Sequence, residues 1–368
     1  MSTGKPDQVT AGEAGAVRIA VDAMGGDDAP DAIVRGCLAA SDVLGPDDRL
    51  LVIGDESVIR EICEESSGAI DPRMEIVHAS DVIEMGESPA KAVRGKPDSS
   101  IVKMTLLGSQ KAEGPLKADV VLSAGNTGAC VTAGIMHMKR LRGVHRPAIA
   151  ATIPSFDHNV VLCDAGANPE PKPVHLWQYG VMSEVYAKHV HGIPEPRIAL
   201  MNIGSEEGKG SEMIRQTRDM LRATPGLNFV GYIEGREFFE NVADVIITDG
   251  FVGNTVLKTA EGLAKSLFKA IGHEILTTAP ELAAGFEPVA KQIYAKNDYH
   301  ELGGAPLLGV NGSYVIAHGS SQPRTIRASI RNARKLIQYR LNDHILDRLA
   351  QVAHIEDEVS QQAKPQPA

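Results

Sequence analysis

Short apolar runs that end in a glycine-containing polar loop, each followed by a helical pattern, recur along this chain. Residues 119–136 show the unit: residues 120–122 have the apolar character of a buried strand, 123–128 are small and polar, and the following residues favour a helix. Strands that alternate with helices predict βαβ units, and therefore an α/β fold whose mostly parallel sheet carries helices on both faces. We expect the five glycine-bearing loops to lie at one edge of that sheet and to bind the ligand there.

Alternating apolar patterns predict the other elements. Strands are expected at residues 16–21, 50–53, 74–78, 197–202, 229–232 and 245–248, with a hairpin of strands at 148–153 and 160–163. Helices are expected at about residues 30–44, 58–66, 88–94, 100–108, 173–190 and 211–223, and residues 323–355 predict one long helix or two. The predicted organisation is a single catalytic domain at residues 16–355, between disordered tails at residues 1–15 and 356–368.

The composition narrows the class of protein. A net charge of −10 argues against nucleic acid as a partner. The four cysteines are scattered without a CxxC pair, which argues against a zinc site or a disulfide framework and favours buried thiols. Residues 1–15 lack the apolar segment of a secretory signal, and no apolar run reaches the roughly 20 residues of a membrane-spanning helix. A cytoplasmic location is therefore expected.

The standard nucleotide and hydrolase motifs are missing from the sequence. The segment between Gly204 and Gly210 is not a Walker A loop, because its spacing is short and Gly210 stands where a Ser or Thr would hold magnesium. The chain also has no GxGxxG after its first strand, no GxSxG and no HExxH. These absences argue against phosphate-loop kinases, dinucleotide dehydrogenases and serine hydrolases.

The loops that remain suit an oxyanion such as phosphate. Asn126 and Thr127 stand at a helix start, where free N–H groups and the helix dipole favour an anion. Lys209, between two glycines, and Lys172 are candidate cations that follow strand ends. The alternative is that both lysines are solvated surface charges and that the loop at Asn126 is an ordinary strand-to-helix turn.

Four aspartates, Asp22, Asp27, Asp164 and Asp249, follow predicted strands. Their carboxylates can cap helices and orient loops by accepting backbone hydrogen bonds. A metal site is the weaker interpretation, because the aspartates are separated and lack DxD spacing. We expect most of them to bond backbone amides rather than substrate, and we expect no metal.

The loop at residues 318–321 follows an apolar run and precedes the last long helical segment. The hydroxyls of Ser320 and Ser321 and the backbone amides of this loop can donate to an oxyanion. His318 can donate a proton to a leaving group. The alternative is a capped helix start, for which serine is also well suited.

Six of these loops together resemble a known family. In order, they are DAMGGD at residues 22–27, SAGNTGA at 123–129, CDAGAN at 163–168, NIGSEEGKG at 202–210, ITDGFVGN at 247–254 and AHGSS at 317–321. This set resembles the phosphate acyltransferases of bacterial phospholipid synthesis and covers about residues 17–355. The resemblance implies an α/β/α fold similar to phosphotransacetylase and isopropylmalate dehydrogenase, and a homodimer.

The resemblance also implies the reaction. Family members convert acyl–acyl-carrier protein and inorganic phosphate reversibly to acyl phosphate and free carrier protein, without a cofactor. The acyl phosphate then passes to a membrane glycerol-3-phosphate acyltransferase, with which functional contact is expected. Cys163 departs from the family at a position where Leu is expected, which argues that its thiol is not the nucleophile. The segment between residues 275 and 298 also departs from the family's sequence, so residues there are matched to the family by position only.

Site residues follow from the loops and the resemblance taken together. The expected catalytic residues are Lys172, Lys209, His318 and Asn254, with the lysines on phosphate and Asn254 or the His318 loop at the oxyanion. The expected phosphate- and substrate-binding residues are Asp22, Gly25, Gly26, Asn126, Thr127, Gly128, Asn168, Asn202, Gly204, Gly210, Asp249, Gly319, Ser320 and Ser321.

An amphipathic arm is predicted at about residues 255–298. Residues 255–276 carry a helical apolar stripe that includes Leu263, Leu267, Phe268 and Ile271, and a second helix is expected after Pro280. One interpretation is a hairpin that packs in the core or in a dimer. The other is a patch that binds anionic lipid, so that the protein associates peripherally with the inner face of the plasma membrane.

Two other functions stay open at this point. A decarboxylating dehydrogenase of similar fold would need a nicotinamide site and a set of metal-binding aspartates, and neither is clear. A non-catalytic scaffold that binds lipid or carrier protein through the arm would leave the polar loops unexplained. For an acidic carrier protein, the candidate contact is the basic group of Arg140, Arg142, His145 and Arg146.

Overall fold

The computed structural model describes residues 15–67, 70–155, 158–296, 302–356 and 358. The strands are β1 (Arg18–Asp22), β2 (Arg49–Gly54), β3 (Met74–His78), β4 (Val120–Ser123), β5 (Ala148–Pro154), β6 (Asn159–Cys163), β7 (Ile198–Met201), β8 (Phe229–Ile233), β9 (Val245–Ile247), β10 (Ala305–Leu308) and β11 (Ser313–Ile316). The helices are α1 (Asp31–Leu38), α2 (Glu56–Ser67), α3 (Pro89–Gly95), α4 (Ser100–Leu107), α5 (Thr127–Ala133), α6 (Pro173–Val190), α7 (Glu212–Ala223), α8 (Gly250–Thr278), α9 (Ala283–Lys296), α10 (Pro323–Gln338) and α11 (Leu341–Val352).

These strands form one sheet in the order β3-β2-β1-β4-β11-β10-β5-β6-β9-β7-β8. Most neighbouring pairs are parallel, which confirms the predicted fold class. The three antiparallel pairs β11–β10, β10–β5 and β5–β6 lie in the middle of the sheet. The hairpin of β5 and β6 is therefore confirmed.

The expectation that all the glycine-bearing loops share one edge is wrong. Because three successive antiparallel pairings reverse the direction of the chain, β6, β9 and β7 run opposite to β1, β4 and β11. The loops after β1, β4 and β11 form a first group, and those after β6, β7 and β9 form a second group at the opposite ends of their strands. Another element is needed to bring the two groups together.

The predicted element boundaries agree with the structure with a few differences. β10, which contains Pro306, is absent from the predicted strands, and β11 corresponds to the apolar run before residue 318, which was not assigned to a strand. The helix expected at residues 30–44 ends at Leu38 and continues as a 3₁₀ turn over Ala39–Asp42. The final helical segment is two helices, because Arg340 between α10 and α11 has a left-handed φ of 47°. Residues 297 and 298 of the predicted arm, and most of both predicted tails, lie outside the described residues.

Apolar side chains fill both faces of the sheet. On β1, Ile19 and Val21 belong to one core cluster and Ala20 to another, as the alternation of side chains along a strand requires. Trp177 of α6 is buried, and its indole N–H donates to the Thr224 hydroxyl at 2.8 Å. All four cysteines are buried thiols, as predicted.

Helix α8 departs from this packing. Of its 29 residues, the buried ones are Gly250 and Gly253, both in the first turn. The rest of α8 crosses the sheet and then projects from it with α9, which confirms that a helical hairpin follows β9. No helix in the described ranges has both the length and the apolar character needed to cross a bilayer.

Candidate active site

A cavity of about 1010 Å³ lies between α8 and the middle of the sheet. Its floor comes from β5 and the neighbouring ends of β10 and β11, and its roof comes from α8. Both loop groups reach it: Asp27, Thr127, His318 and Gly319 come from the first group, and Gly166 and Pro169 from the second. Further polar lining comes from Asn254, Lys258 and Glu261 of α8 and from Thr152 and Ser155.

The first turn of α8 is fixed to the second loop group. Asp249 caps the helix, because its carboxylate accepts the Val252 N–H at 2.8 Å. The Gly250 N–H donates to the Asn168 carbonyl at 2.8 Å. At Gly253 the helix lies so close to the Asp164 carbonyl oxygen that a Cβ would overlap it. Only glycine permits this approach, and it sets the path of α8 over the sheet.

Asp164 organises the loop beneath that turn. One carboxylate oxygen accepts the N–H groups of Ile149, Gly166 and Ala167 at 3.0, 3.2 and 3.0 Å, and the other accepts that of Asn168 at 2.6 Å. Burial raises the pKa of Asp164, while these backbone hydrogen bonds oppose the rise. Asp164 and Asp249 therefore bond backbone amides, as expected.

The first loop group is equally compact. Asp22 is buried and accepts the Ser123 hydroxyl at 2.7 Å and the Met24 N–H at 3.1 Å, and burial raises its pKa. The loops after β1 and β11 are joined by the Asp27 N–H, which donates to the Gly319 carbonyl at 2.8 Å. At Gly25 a Cβ would come within 2.7 Å of the Gly125 backbone, so the two glycine loops touch directly. Gly26, with φ of +137°, lies beside Gly319.

Asn126 positions the loop after β4. Its side-chain carbonyl accepts the Ala129 N–H at 3.0 Å and caps α5. Its amide nitrogen donates to the carbonyls of Glu84, Met85 and Glu87 at 3.2, 3.0 and 3.1 Å. The side chain is thus occupied within the protein, whereas Thr127 lines the cavity. Gly128 lies against Pro89 and does not line it.

His318 lies where the first loop group meets α8. Its Nδ1 is 2.7 Å from the Ser320 hydroxyl and 3.2 Å from the Ser320 N–H. Its Nε2 contacts the Lys258 ammonium and is 4.0 Å from the Glu261 carboxylate. Lys258 and Glu261 are themselves 3.6 Å apart. The Ser321 hydroxyl donates to the His318 carbonyl at 2.5 Å and closes the turn. An imidazole, an ammonium and a carboxylate therefore meet at the cavity wall.

Several predicted site residues lie elsewhere. Lys209 is exposed in the loop after β7, where Asn202 donates to the Gly204 carbonyl at 3.0 Å and Gly210 packs against Asn202. Lys172 is exposed at the start of α6 and lies near His175. Neither lysine lines the cavity. Their predicted role at phosphate remains a prediction.

Sequence reasoning missed Lys258 and Glu261. Lys258 lies off the apolar stripe of the arm, which is the usual position of a solvated lysine. The available signal was spacing, because Asn254, Lys258 and Glu261 follow one another at i, i+4 and i+7 and so share one face of α8. Asn254 had been predicted, and the next two polar residues on its face are the ones that reach His318.

The buried thiols do not take part in this arrangement. Burial raises the pKa of Cys163 well above its ordinary value, and burial also raises the pKa of Cys130 to about 11. A thiol nucleophile needs a lowered pKa, so the structure supports the expectation that Cys163 is not the nucleophile. Within the described ranges, no group of three or more His, Cys, Asp or Glu side chains is arranged to hold a metal ion.

The chain is similar over most of its length to proteins of one family. The family model for the fatty acid synthesis protein matches residues 17–343. The phosphate acyltransferase of Desulfitobacterium hafniense strain DCB-2 is 44% identical over 325 residues, covering 88% of this chain and 94% of that protein. The phosphate acyltransferase of Dictyoglomus turgidum is 40% identical over 339 residues, covering 91% of this chain and 98% of that protein.

The chain belongs to the phosphate acyltransferase family. It is therefore a transferase, and the dehydrogenase and scaffold alternatives lose their support. A solved structure of a phosphotransacetylase from Streptococcus pyogenes aligns with a TM-score of 0.56, covering 88% of this chain and 94% of that chain. At 16% identity this likeness shows the fold alone, and it confirms the expected resemblance to phosphotransacetylase.

Substitutions at two glycines of α8 test whether the close contact with Asp164 fixes the position of this helix. A Gly253→Ala Cβ would overlap the Asp164 carbonyl, so the first turn must shift, and we expect a loss of about 1–3 kcal/mol in the free energy of unfolding. The displaced Asn254 and Lys258 should lower the transfer rate at least tenfold. Gly262→Ala, with open space around its Cβ, should keep the rate and gain up to about 1 kcal/mol. Urea denaturation measures the free energy of unfolding, and initial rates measure the transfer. Equal stability and equal rates in the two variants would contradict the role given to Gly253.

Proposed function

We propose that this enzyme transfers the acyl group of an acyl–acyl-carrier protein to inorganic phosphate, forming acyl phosphate for glycerol-3-phosphate acylation. The observation that carries this proposal is the cavity, in which a polar cluster around His318 and Lys258 adjoins a long apolar space. The name of the relatives supports phosphate as the acceptor and an acyl group as the transferred unit. The ordered loop motifs support the carrier-protein thioester as the donor.

The reaction balances without a covalent enzyme intermediate. A phosphate oxygen attacks the thioester carbonyl, the carbon–oxygen bond forms, and the carbon–sulfur bond breaks as the tetrahedral oxyanion collapses. Hydrogen phosphate loses one proton and the departing thiolate gains one. The enzyme therefore has to hold phosphate against the carbonyl, stabilise the oxyanion and move one proton.

Lys258 is the best-placed cation for phosphate. Among the described residues that line the cavity, Lys258 is the only lysine, and none is an arginine. Lys172 and Lys209 do not line the cavity. The Thr127 hydroxyl lies in the same cavity and can donate to a phosphate oxygen. Asp27 also lines the cavity, and its carboxylate would repel phosphate, so phosphate is placed beside Lys258. The Glu261 carboxylate, 3.6 Å from the Lys258 ammonium, offsets part of that positive charge.

His318 is the group best placed to move the proton. Its Nδ1 is held by Ser320, so the ring has a fixed orientation, and its Nε2 points to Lys258 at the cavity wall. An imidazole at that point can take the proton from phosphate and return it to the thiolate within one cycle. Asn254, one turn before Lys258, is the candidate donor to the oxyanion.

Four lysine variants separate the candidate phosphate sites. Lys258→Ala should raise the KM for phosphate at least tenfold, because it removes the cation at the cavity wall, whereas Lys172→Ala and Lys209→Ala should leave it unchanged. Lys265→Ala, an exposed lysine farther along α8 that does not line the cavity, is the matched control. The assay follows hydroxylamine-trapped acyl phosphate formed from acyl-carrier protein and phosphate. A raised KM in Lys209→Ala with a normal Lys258→Ala would place phosphate at the loop after β7.

His318 has a separate test. His318→Asn should lower kcat by about 10²–10⁴-fold. A thioester with a more acidic thiol should restore part of the loss, since its leaving group needs no proton although phosphate still has to give one up. Wild-type enzyme should gain little from that substrate. Equal loss with both thioesters would exclude His318 as the proton donor.

A basic group beside the cavity supports an acidic protein as donor. The ring centroids of His145 and His175 are 6.1 Å apart. The pKa of His175 is lowered to about 4, first by its burial and then by the nearby charges, which include Arg146, Lys172 and Arg140. These three basic side chains lie close together on a protein whose net charge is −10. Arg146 lies three residues before Ile149, which is part of the cavity floor. A carrier protein bound there can deliver its thioester to the cavity.

Charge reversal tests the carrier contact. The double variant Arg142→Glu and Arg146→Glu, at two exposed positions, should raise the KM for acyl-carrier protein at least tenfold and leave the KM for phosphate unchanged. Added salt should reduce the difference from wild type, because screening weakens the attraction. Arg236→Glu, at a side chain 77% exposed, is the control for a change of net charge. An unchanged KM in the double variant would remove this group from the carrier site.

The arm presents an apolar surface outward. Leu263 and Leu267 of α8 are 65% and 56% exposed, and Leu282 and Val289 are 57% and 49% exposed. Exposed leucines in such number mark a surface that another apolar surface covers. We propose that the arm lies on an anionic bilayer, where acyl phosphate meets the membrane acyltransferase. Packing against a second copy of the chain is the alternative.

Vesicle flotation distinguishes these two partners. The protein should float with vesicles rich in phosphatidylglycerol at low salt, and the variant Leu263→Ser with Leu276→Ser, at two exposed arm positions, should remain in solution. Sedimentation gives the oligomeric state of both proteins. Loss of a dimer in the double variant, with no flotation of wild type, would establish the dimer interpretation instead.

A further inference from the structure

The apolar part of the cavity, here named the channel, lies between α8 and the strands β5, β10 and β11. Its floor and roof are mainly small or aliphatic side chains: Ile149, Ala151, Ile153, Ala305 and Ile316 below, and Leu257, Ala260, Ala264, Leu267 and Phe268 above. From Leu257 to Phe268 the roof extends about 16 Å at the rise of an α-helix. The volume of about 1010 Å³ is at the upper limit for a small-molecule pocket, and Lys258 and His318 are only two of its lining residues.

We propose that this channel binds the hydrocarbon chain of the acyl group, and that Ala264 and Phe268 of α8 set the longest chain accepted. This inference rests on the proposed function and adds to it the residues that limit the length of the acyl chain. An acetyl group would leave most of the channel empty. A fatty acyl chain whose carbonyl lies beside Lys258 and His318 reaches along the roof toward Phe268.

The spacing along α8 gives each residue its place on the chain. Ala264 lies six residues beyond Lys258, about 9 Å farther along the helix, and Phe268 lies ten residues beyond it, about 15 Å. Ala260 and Ala264 are one turn apart on the cavity side, and their small side chains leave the space that a chain needs. A large side chain at Ala264 therefore shortens the channel without reaching the polar cluster.

Calorimetry with free fatty acids measures the channel without the reaction. Binding should tighten by about fourfold for each buried methylene between hexanoate and dodecanoate. In Ala264→Trp, dodecanoate should lose at least tenfold in affinity and hexanoate should change little. Ala270→Trp adds the same side chain to α8 at an exposed position outside the cavity and should match wild type. Equal chain-length profiles in the two variants would overturn the proposal.

Kinetics with a series of acyl thioesters then tests the length limit. Ala264→Trp should lower kcat/KM at least tenfold for a sixteen-carbon chain relative to a four-carbon chain, with the KM for phosphate unchanged, and Phe268→Ala should extend the accepted length. No acyl phosphate from any thioester, with normal dodecanoate binding, would reject the proposed function but leave the channel. Normal transfer with no chain-length dependence would reject the channel and leave the function.

Discussion

Asp164 is the constraint on which the site depends. Its carboxylate is fully buried and accepts four backbone N–H groups, including that of Ile149 at the start of β5. Its carbonyl lies against Gly253 in the first turn of α8. One residue therefore sets β5, the loop after β6 and α8 relative to one another. Each buried N–H left without a partner costs about 1–3 kcal/mol, so the carboxylate is held there in spite of the burial that raises its pKa.

The reversal in the middle of the sheet gives α8 its role. In a fully parallel sheet, the strand ends would form one active-site edge by themselves. Here β10 and β5 separate two parallel groups of strands that run in opposite directions, so the sheet alone cannot bring their loops together. Helix α8 starts in one group, at Asp249, and carries Asn254 and Lys258 across the sheet to His318 of the other group. The cavity is the space beneath this crossing.

The sequence predicted what depends on local pattern, and missed what depends on that crossing. Alternation of strands and helices gave the fold class, and the motif loops gave His318, Thr127 and Asn254 as residues of the cavity. β10 was missed because its four residues include Pro306 and follow two glycines, a composition typical of a loop. Lys209 and Lys172 both follow strand ends, but neither reaches the cavity. The loop after β7, which carries Lys209, does not line the cavity, and Lys172 lies three residues beyond Pro169, the last lining residue of the loop after β6. Lys258 has no local signal except its spacing from Asn254.

The channel and the exposed arm belong to one helix, and this has an energetic consequence for product release. Each methylene buried in the channel contributes about 0.8 kcal/mol to binding, so a long-chain acyl phosphate would leave slowly into water. Transfer to another apolar environment avoids most of that cost. Leu267 lines the channel and is also 56% exposed, so the apolar surface continues from the channel to the outer face of α8. If the arm lies on a bilayer as proposed, an acyl phosphate that leaves along this surface would keep its chain out of water throughout, and its anhydride would be less exposed to hydrolysis.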